Sequence, residues 1–113
     1  MSETLFEKII NKEIPSDIIY EDDQSIVIKD INPQAPVHLL IIPKKPIPML
    51  SKATESDKEL LGHLMLVAGK LSKLLKLDDT FNIVINNGEN AGQTIFHLHL
   101  HLLSGKSFNW LPA

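Results

Sequence analysis

The fold is decided by a carboxy-terminal stretch that reads TIFHLHLHLL, residues 94–103. Imidazole and apolar side chains alternate strictly within it, which is the pattern of a strand whose two faces differ. We therefore predict a strand from Thr94 to Leu102. Its apolar face, directed into the core, is predicted to carry Phe96, Leu98, Leu100 and Leu102. Its other face is predicted to carry His97, His99 and His101, with neighbouring histidines about 6.7 Å apart at a rise of about 3.3 Å per residue.

The spacing of these three histidines disfavours one metal ion bound by all of them. The outer two are expected about 13 Å apart, whereas a Zn–N bond is about 2.0–2.1 Å long. Neutral imidazole is nucleophilic and changes charge near neutral pH, so such a row suits a nucleophile, an orienting group and an acid. Three ionisable rings are costly to bury together, and a purely structural strand rarely keeps them.

The rest of the chain shows patterns for two helices and four further strands. A short amphipathic helix is predicted over residues 4–11, where it is expected only to cover the sheet. A long helix is predicted from Thr54 to Leu77, with Ser56 and Glu59 forming a capping box at its start. Strands are predicted at Ile18–Tyr20, Ile26–Lys29, His38–Ile42 and Phe81–Ile85. These elements indicate a single α+β domain over residues 1–113.

The composition restricts the chemistry that the domain can perform. A formal net charge of −3 argues against a protein that binds nucleic acid. All 11 cationic side chains are lysine, so a bound phosphate must be held by lysine, protonated histidine, hydroxyls or backbone N–H groups. The absence of cysteine excludes a thiolate nucleophile. With no membrane-length apolar stretch and an acidic amino terminus, we expect a soluble, cytoplasmic protein with no membrane partner.

Three further features bear on a site. The loop NNGENAGQ, residues 86–93, has two glycines that let backbone N–H groups approach an anion, although an ordinary turn explains it equally well in isolation. His38 joins the histidine row if its strand lies in the same sheet. His63, on the long helix, has no partner at useful spacing, and we expect a solvated or partly buried helix residue.

The run His97-Leu98-His99-Leu100-His101-Leu102-Leu103 resembles the histidine triad signature, His-φ-His-φ-His-φ-φ with φ apolar. Similarity to the histidine triad nucleotide-binding branch of that family extends over IINKEIPSDIIYEDD, IKDINPQAPVHLLIIPKK, LLGHLM and NNGENAGQTIFHLHLHLL, nearly the whole chain. The resemblance implies a five-stranded antiparallel sheet with one long and one short helix. It also implies a homodimer with a continuous ten-stranded sheet, in which the long helix, widened in its apolar stripe by Met65 and Leu66, lies in the interface.

The resemblance further implies an enzyme that hydrolyses purine nucleoside phosphoramidates, such as AMP linked to an amine or to lysine, with no metal or other cofactor. His99 would be the nucleophile that forms a covalent nucleotidyl-histidine, and His97 would orient it. His101 would contact the phosphate and take part in protonating the leaving group, and His38 would complete the cluster. Two successive displacements allow one imidazole to attack while neighbouring donors stabilise the phosphate oxygens.

The nucleotide site implied by the resemblance draws on two loops. Asp30 matches the acidic residue at the ribose hydroxyls, and Ile31 matches an apolar wall beside the base. The phosphate-side loop matches at Asn86, Gly92, Gln93 and Thr94.

The sequence departs from the branch at a few positions. Thr94 stands where serine is usual, and we expect its extra methyl group to slow leaving-group protonation. Pro46 stands where some relatives carry histidine, which weakens a zinc site that would use that ligand. Trp110, in the tail SFNWLPA, matches animal relatives, in which this end borders the partner's site and tunes leaving-group preference.

Two alternatives from other classes stay open. The first is a nucleotide-binding adaptor with weak catalysis, against which the intact triad argues. The second is a zinc-binding protein that uses His38 and two of the triad histidines, which the absence of cysteine and of an acidic residue within the triplet disfavours.

Overall fold

The computed structural model describes residues 3–109, which form two α-helices and five strands. The helices are α1 (Leu5–Ile10) and α2 (Lys58–Leu74). The strands are β1 (Ile18–Glu21), β2 (Ser25–Lys29), β3 (Val37–Pro43), β4 (Asn82–Val84) and β5 (Leu100–Ser104). All strand pairs are antiparallel, and the order across the sheet is β1-β2-β3-β5-β4. The predicted α+β fold with a five-stranded antiparallel sheet is confirmed.

The two faces of the sheet are covered by different helices. On one face α2 packs Leu64, Val67 and Leu71 against alternate residues of the strands, which are Val27, Leu39, Ile41, Leu100 and Leu102. On the other face α1 packs Phe6 and Ile9 against Ile26, Ile28, Leu40 and Ile42. Each fully buried aliphatic side chain contributes about 1.5–3 kcal/mol to folding. Since side chains alternate between faces along a strand, His38 lies on the α1 side with Leu40, and so does His101, which is paired with Leu40.

The start and end of α2 differ from the prediction. The carboxylate of Asp57 accepts a hydrogen bond from the Thr54 backbone N–H (2.9 Å), and these two residues cap a short 3-10 turn, Glu55–Asp57, that leads into α2. The hydroxyl of Ser56 instead pairs with the Thr54 hydroxyl (2.8 Å), and the predicted Ser56–Glu59 box is wrong. At its other end α2 stops at Leu74 because Lys76 has a positive φ of 55°, which breaks the helical repeat. Neither helix within residues 3–109 has the length and apolarity needed to cross a bilayer.

The final strand is shorter than predicted, since β5 begins at Leu100 and not at Thr94. The Asp30 N–H bonds to the carbonyl of His38, and the Lys44 N–H bonds to the carbonyl of Gln24. The even-numbered residues of β3 therefore direct their backbone N–H and C=O groups to β2. Odd-numbered residues of β3 therefore face β5, and the missing N–H of Pro43 falls on that side. The β3–β5 ladder ends at the pair Ile41–Leu100.

Residues 94–99 consequently form an irregular segment before β5. Leu98, Leu100 and Leu102 are buried as predicted, but Phe96 is 42% exposed and does not enter the core. The backbone N–H of Leu98 bonds to the Ile47 carbonyl (2.7 Å) in place of a ladder partner. The alternation therefore predicted three of the four core positions, although six of the nine residues of the predicted strand lie outside β5.

Candidate active site

Three histidines converge on the α1 side of the sheet, and a fourth lies behind them. Nε2 of His38 on β3 is 2.9 Å from Nδ1 of His101 on β5. The two strands are paired in one sheet, which is the condition under which we expected His38 to join the row. The ring centroids of His99 and His101 are 5.0 Å apart. His97 is fully buried, His99 is 8% exposed, and His101 is partly exposed.

The hydrogen bonds of His99 define which of its ring nitrogens is free. Its Nδ1 is 2.7 Å from the backbone oxygen of His97. A carbonyl oxygen only accepts, so Nδ1 carries the proton and Nε2 keeps its lone pair in the neutral ring. No protein group within residues 3–109 forms a hydrogen bond with Nε2 of His99. The arrangement leaves a neutral imidazole nitrogen unoccupied beside His101.

His97 is held at both ring nitrogens. Its Nε2 is 2.7 Å from the Pro43 carbonyl oxygen, and its Nδ1 is 3.3 Å from the Thr4 hydroxyl. The Pro43 carbonyl is the group that faces β5 where the ladder ends. His97 therefore occupies a structural position, in which its ring is buried and its backbone oxygen orients His99.

His38 and His101 form a second chain of hydrogen bonds. The backbone N–H of Gln34 donates to Nδ1 of His38 (3.0 Å), so His38 carries its proton on Nε2 and donates it to Nδ1 of His101. Neutral His101 then carries its own proton on Nε2, which has no hydrogen-bond partner among residues 3–109. Oδ2 of Asp30 lies 3.4 Å from Nε2 of His38. The site therefore presents an acceptor on His99 and a donor on His101.

Burial keeps the triad histidines neutral. The loss of solvation lowers the pKa of His97 and His99 below its usual value, although hydrogen bonds to Pro43 and to the His97 carbonyl oppose the shift. Burial, followed by the charges of His99 and His38, lowers the pKa of His101 to about 4, against the attraction of Asp30. At neutral pH all three rings are unprotonated at one nitrogen, as a nucleophile and a neutral donor require.

The loop before the histidine segment is braced by the side chain of Gln93. Its Oε1 accepts from the Gly88 N–H (2.8 Å), and its Nε2 donates to the carbonyls of Pro48 (2.9 Å) and Ile95 (3.0 Å). Both hydrogens of the side-chain amide are thus bonded to backbone carbonyls, and Gln93 is only 2% exposed. Its side chain shapes the loop and has no free donor for an anion.

The other residues expected at a nucleotide lie around this cluster at the surface. Ile31 is 97% exposed, directly after Asp30, and Thr94 is exposed beside the buried Gln93. Nδ2 of Asn86 donates to the Ala91 carbonyl (2.8 Å), and Gly92 adopts a positive φ of 96° that closes the turn next to it. A cavity of about 710 Å³, bordered by His38, His101, Asn82, Val84, Lys106 and Phe108 among others, adjoins the cluster. Trp110 lies outside the described residues.

Two residues of the amino-terminal segment reach the site, contrary to the expectation that this helix only covers the sheet. Thr4 contacts His97, and the Phe6 ring packs edge-on against His97 and His99 at centroid distances of 6.0 and 4.9 Å. The capping role of Thr4 has a signal in the sequence, because Thr4 and Glu7 have the Ser/Thr-x-x-Glu spacing of a capping box. The contact with His97, 93 positions away, had no local signal.

His63 has a hydrogen-bond partner that its spacing in the sequence does not indicate. Its Nε2 is 2.8 Å from Oδ2 of Asp22 in the β1–β2 turn. The expectation of a partly buried helix residue is confirmed, since the side chain is 24% exposed. A partner 41 residues away could not be found from spacing along the helix.

One group of residues in the described part of the chain has the geometry to hold a metal ion. Potential ligand atoms of Asp30, His38 and His101 all lie within 4.8 Å of one another. The set differs from the zinc alternative considered from sequence, because it contains one triad histidine and a carboxylate in place of two triad histidines. The chemistry of the set, two imidazoles and a carboxylate, is suitable for zinc.

Comparisons with known proteins agree with this geometry. A family model described as HIT domain matches residues 11–108. An uncharacterized HIT-like protein of Synechocystis sp. is 57% identical over 111 residues, which are 98% of this chain and 97% of that protein. A protein of Zea mays named 14 kDa zinc-binding protein is 48% identical over 114 residues, which are 99% of this chain and 89% of that protein.

Solved structures share the fold over the same length. A HIT family hydrolase from Legionella pneumophila Philadelphia 1 superimposes with a TM-score of 0.94 and 40% identity, covering 98% of this chain and 100% of that chain. A histidine triad nucleotide-binding protein from Candida albicans superimposes with a TM-score of 0.82 and 35% identity, covering 98% of this chain and 84% of that chain. The family model matches most of the chain, and relatives that share about half of its residues or more are matched over nearly its whole length. The chain therefore belongs to the HIT family.

Proposed function

We propose that this protein hydrolyses purine nucleoside phosphoramidates, of the type in which AMP is linked to an amine or to lysine, through a covalent intermediate on His99. The observation that carries the proposal is the hydrogen bond from Nδ1 of His99 to the His97 carbonyl. It leaves the lone pair of Nε2 available to attack phosphorus, next to the Nε2–H of His101.

The class of substrate is supported by the relatives. The Legionella protein is named a hydrolase and the Candida protein a nucleotide-binding protein, and both share the fold over nearly the whole of this chain. The preference for purines and for a phosphoramidate bond follows from the resemblance of the histidine segment and its loop to the nucleotide-binding branch. The natural amine and the choice between adenosine and guanosine are left open by this proposal.

The reaction takes two displacements. In the first, Nε2 of His99 forms a bond to the α-phosphorus while the P–N bond breaks, and the departing amine takes a proton from solvent water. The Nε2–H of neutral His101 donates a hydrogen bond to a phosphate oxygen and keeps its proton. The imidazole becomes positively charged, and the His97 carbonyl at Nδ1 stabilises that charge. In the second, water attacks the phosphorus and gives up one proton to solvent, and the P–N bond to His99 breaks, which releases the nucleoside monophosphate and restores the neutral ring.

The remaining site residues complete the proposed substrate complex. Asp30 accepts hydrogen bonds from the ribose hydroxyls, and Ile31, which is almost fully exposed, packs against the base. Asn86, Gly92, Gln93 and Thr94 shape the phosphate side, with Gln93 contributing through the loop that its side chain braces.

The proposal includes a homodimer, with the whole chain as a single domain. Met65 and Leu66 of α2 are 49% and 71% exposed, which supports a partner on this helix. We also propose a cytoplasmic location, with which a chain that contains no cysteine is compatible.

The test is steady-state hydrolysis of a fluorogenic adenosine phosphoramidate in chelator-treated buffer, by the unmodified protein and by His99→Ala. We expect chelator-resistant turnover that falls by about 10³-fold or more in the variant, with AMP binding retained in calorimetry. The matched control is His63→Gln, which changes a histidine of α2, the helix that covers the opposite face of the sheet. Turnover retained by His99→Ala would contradict the proposal, and nucleotide binding without turnover by the unmodified protein would favour an adaptor.

A second candidate function is zinc binding at Asp30, His38 and His101. The favouring observation is the 4.8 Å grouping of their ligand atoms, and the maize relative is named a zinc-binding protein. Such a site would compete with catalysis, because a metal ion held between His38 and His101 would replace the hydrogen bond that sets the proton of His101. Elemental analysis of protein purified without a metal column tests it: stoichiometric zinc that is lost in His38→Ala supports the site, and its absence excludes the site.

A further inference from the structure

The amino-terminal capping residue of α1 is directly connected to the first histidine of the triad. The hydroxyl of Thr4 accepts a hydrogen bond from the Glu7 backbone N–H (3.1 Å), and the Thr4 N–H donates to the Glu7 carboxylate (3.1 Å). The same hydroxyl is 3.3 Å from Nδ1 of His97. One side chain thus both starts a helix and contacts the site.

The direction of the Thr4–His97 hydrogen bond follows from the other partners of the two groups. Nε2 of His97 faces the Pro43 carbonyl, which only accepts, so the ring proton is on Nε2 and Nδ1 is an acceptor. The Thr4 hydroxyl has one proton, and its oxygen already accepts from the Glu7 N–H. Its proton is therefore donated to Nδ1 of His97, and both partners are satisfied.

The contact has an effect at His99 because residues 94–99 have no ladder hydrogen bonds to β3. Within that segment, hydrogen bonds to Thr4 and Pro43 fix the ring of His97. The next residue, Leu98, is fixed by the bond from its N–H to the Ile47 carbonyl. The backbone oxygen of His97 is the acceptor for Nδ1 of His99. A change in the position of the His97 ring moves the carbonyl that sets the proton on His99.

We propose that Thr4 is a positioning residue, which fixes the His97 ring and thereby holds His99 in the form with its proton on Nδ1 and its lone pair on Nε2. The effect on turnover rests on the function proposed above, whereas the effect on the His99 ring does not. Phe6, two residues further along α1, packs against both rings and reinforces the same placement.

Four variants separate this role from simple helix capping. Thr4→Ser keeps the hydroxyl. Thr4→Val has nearly the same shape but loses both the cap and the donor. Thr4→Asp keeps an oxygen that caps the helix but cannot donate to Nδ1 of His97. Glu7→Ala, the matched control, removes the reciprocal half of the capping box and leaves the Thr4 hydroxyl in place.

The first readout is the protonation state of the rings, from long-range ¹⁵N–¹H spectra of histidine-labelled protein near pH 7. In the unmodified protein we expect His97 protonated on Nε2 alone and His99 on Nδ1 alone. Thr4→Ser and Glu7→Ala should keep both patterns. Thr4→Val should add a population of His99 protonated on Nε2, and Thr4→Asp should add a proton to Nδ1 of His97.

The second readout is turnover of the adenosine phosphoramidate, with thermal unfolding measured in parallel. We expect kcat to fall about tenfold in Thr4→Val and Thr4→Asp with little change in KM, since a small misplacement of a reacting group affects the chemical step. Thr4→Ser and Glu7→Ala should stay within about twofold of the unmodified protein, although Glu7→Ala lowers the unfolding temperature.

The outcomes distinguish the two proposals. An unchanged His99 ring pattern in Thr4→Val, or a His97 proton on Nδ1 in the unmodified protein, would overturn the role of Thr4. Equal losses of kcat in Glu7→Ala and Thr4→Val would also overturn it, because capping alone would then explain the effect. Altered ring patterns in a protein with no phosphoramidate turnover would support Thr4 as a positioning residue and reject the proposed function.

Discussion

His38 donates a hydrogen bond from Nε2 to Nδ1 of His101 across two neighbouring strands, at 2.9 Å, and so determines which nitrogen of His101 faces the open site. We expect His38→Ala to lower kcat/KM for the phosphoramidate by about ten- to a hundredfold, because His101 can then protonate at either nitrogen. His38→Gln, whose amide can donate to the same atom, should lose less. Steady-state kinetics of the two variants checks this, and equal losses would show that the donor is not the important feature.

The lowered histidine pKa values predict the pH dependence of activity. kcat/KM reports the free protein, in which burial holds the pKa of His99 below its usual value and that of His101 at about 4. His99, the proposed nucleophile, therefore stays neutral to a lower pH than an ordinary histidine, whose pKa is about 6.5. A rate profile from pH 4 to 8 should keep its plateau through pH 6.5 and decline only at lower pH. A decline in kcat/KM with its midpoint at or above pH 6.5 would show that His99 titrates as an exposed histidine.

The same shifts predict how stability depends on pH. His97, His99 and His101 bind protons less readily in the folded than in the unfolded chain, so the unfolded state takes up more protons below pH 6.5. Their contribution is fully present above pH 6.5 and is lost as the pH falls toward 4. The urea midpoint should accordingly be lower at pH 5 than at pH 7.5. His101→Gln should reduce this difference, and an unchanged difference would assign it to other groups.

Gln93 is expected to contribute to stability through its three hydrogen bonds to the backbone. Gln93→Glu keeps an acceptor for the Gly88 N–H but places carboxylate oxygens against the Pro48 and Ile95 carbonyls in a buried site. We expect a loss of about 2–3 kcal/mol in the free energy of unfolding, measured in urea. Thr94→Ser, at the exposed neighbouring position, should change it by less than about 0.5 kcal/mol. A Gln93→Glu protein as stable as its parent would show that the loop adapts.

Asp22 connects the β1–β2 turn to α2. Burial raises the pKa of its carboxyl, but hydrogen bonds from the Gln24 N–H, His63, Ser25 and Tyr20 outweigh this and hold the pKa below its usual value. Asp22→Asn should lower the free energy of unfolding by about 1–2 kcal/mol. Turnover should be unaffected because this cluster is on the α2 side of the sheet. A double-mutant cycle with His63→Gln measures the coupling, and additive losses would show that the two side chains act independently.

Much of the fold could be predicted because each element has a local pattern. The first two strands, the strand at His38 and the long helix all follow from the spacing of apolar residues. The strand boundary at Leu100 could not be predicted from the alternation alone. It depends on which side of β3 the missing N–H of Pro43 faces, and only the register of the sheet determines that.

The candidate site was predictable to the same extent. The histidines themselves and the participation of His38 follow from the alternation and from placing two strands in one sheet. The contacts that set their protons do not, since Thr4, Gln34 and Pro43 reach the rings through the tertiary fold. Two of these three partners act through backbone atoms, which carry no signature in residue type.

The irregular segment before β5 makes the acceptor at Nδ1 of His99 a main-chain oxygen, and not a carboxylate as in many hydrolases. No single-codon change can delete this acceptor, because every residue type at position 97 supplies a carbonyl. Evolutionary loss of the orientation of His99 must then come from substitutions that move the chain, such as those at Pro43 or in the segment around Thr4. Inherited variants that inactivate such a site should therefore include residues that never touch the nucleotide.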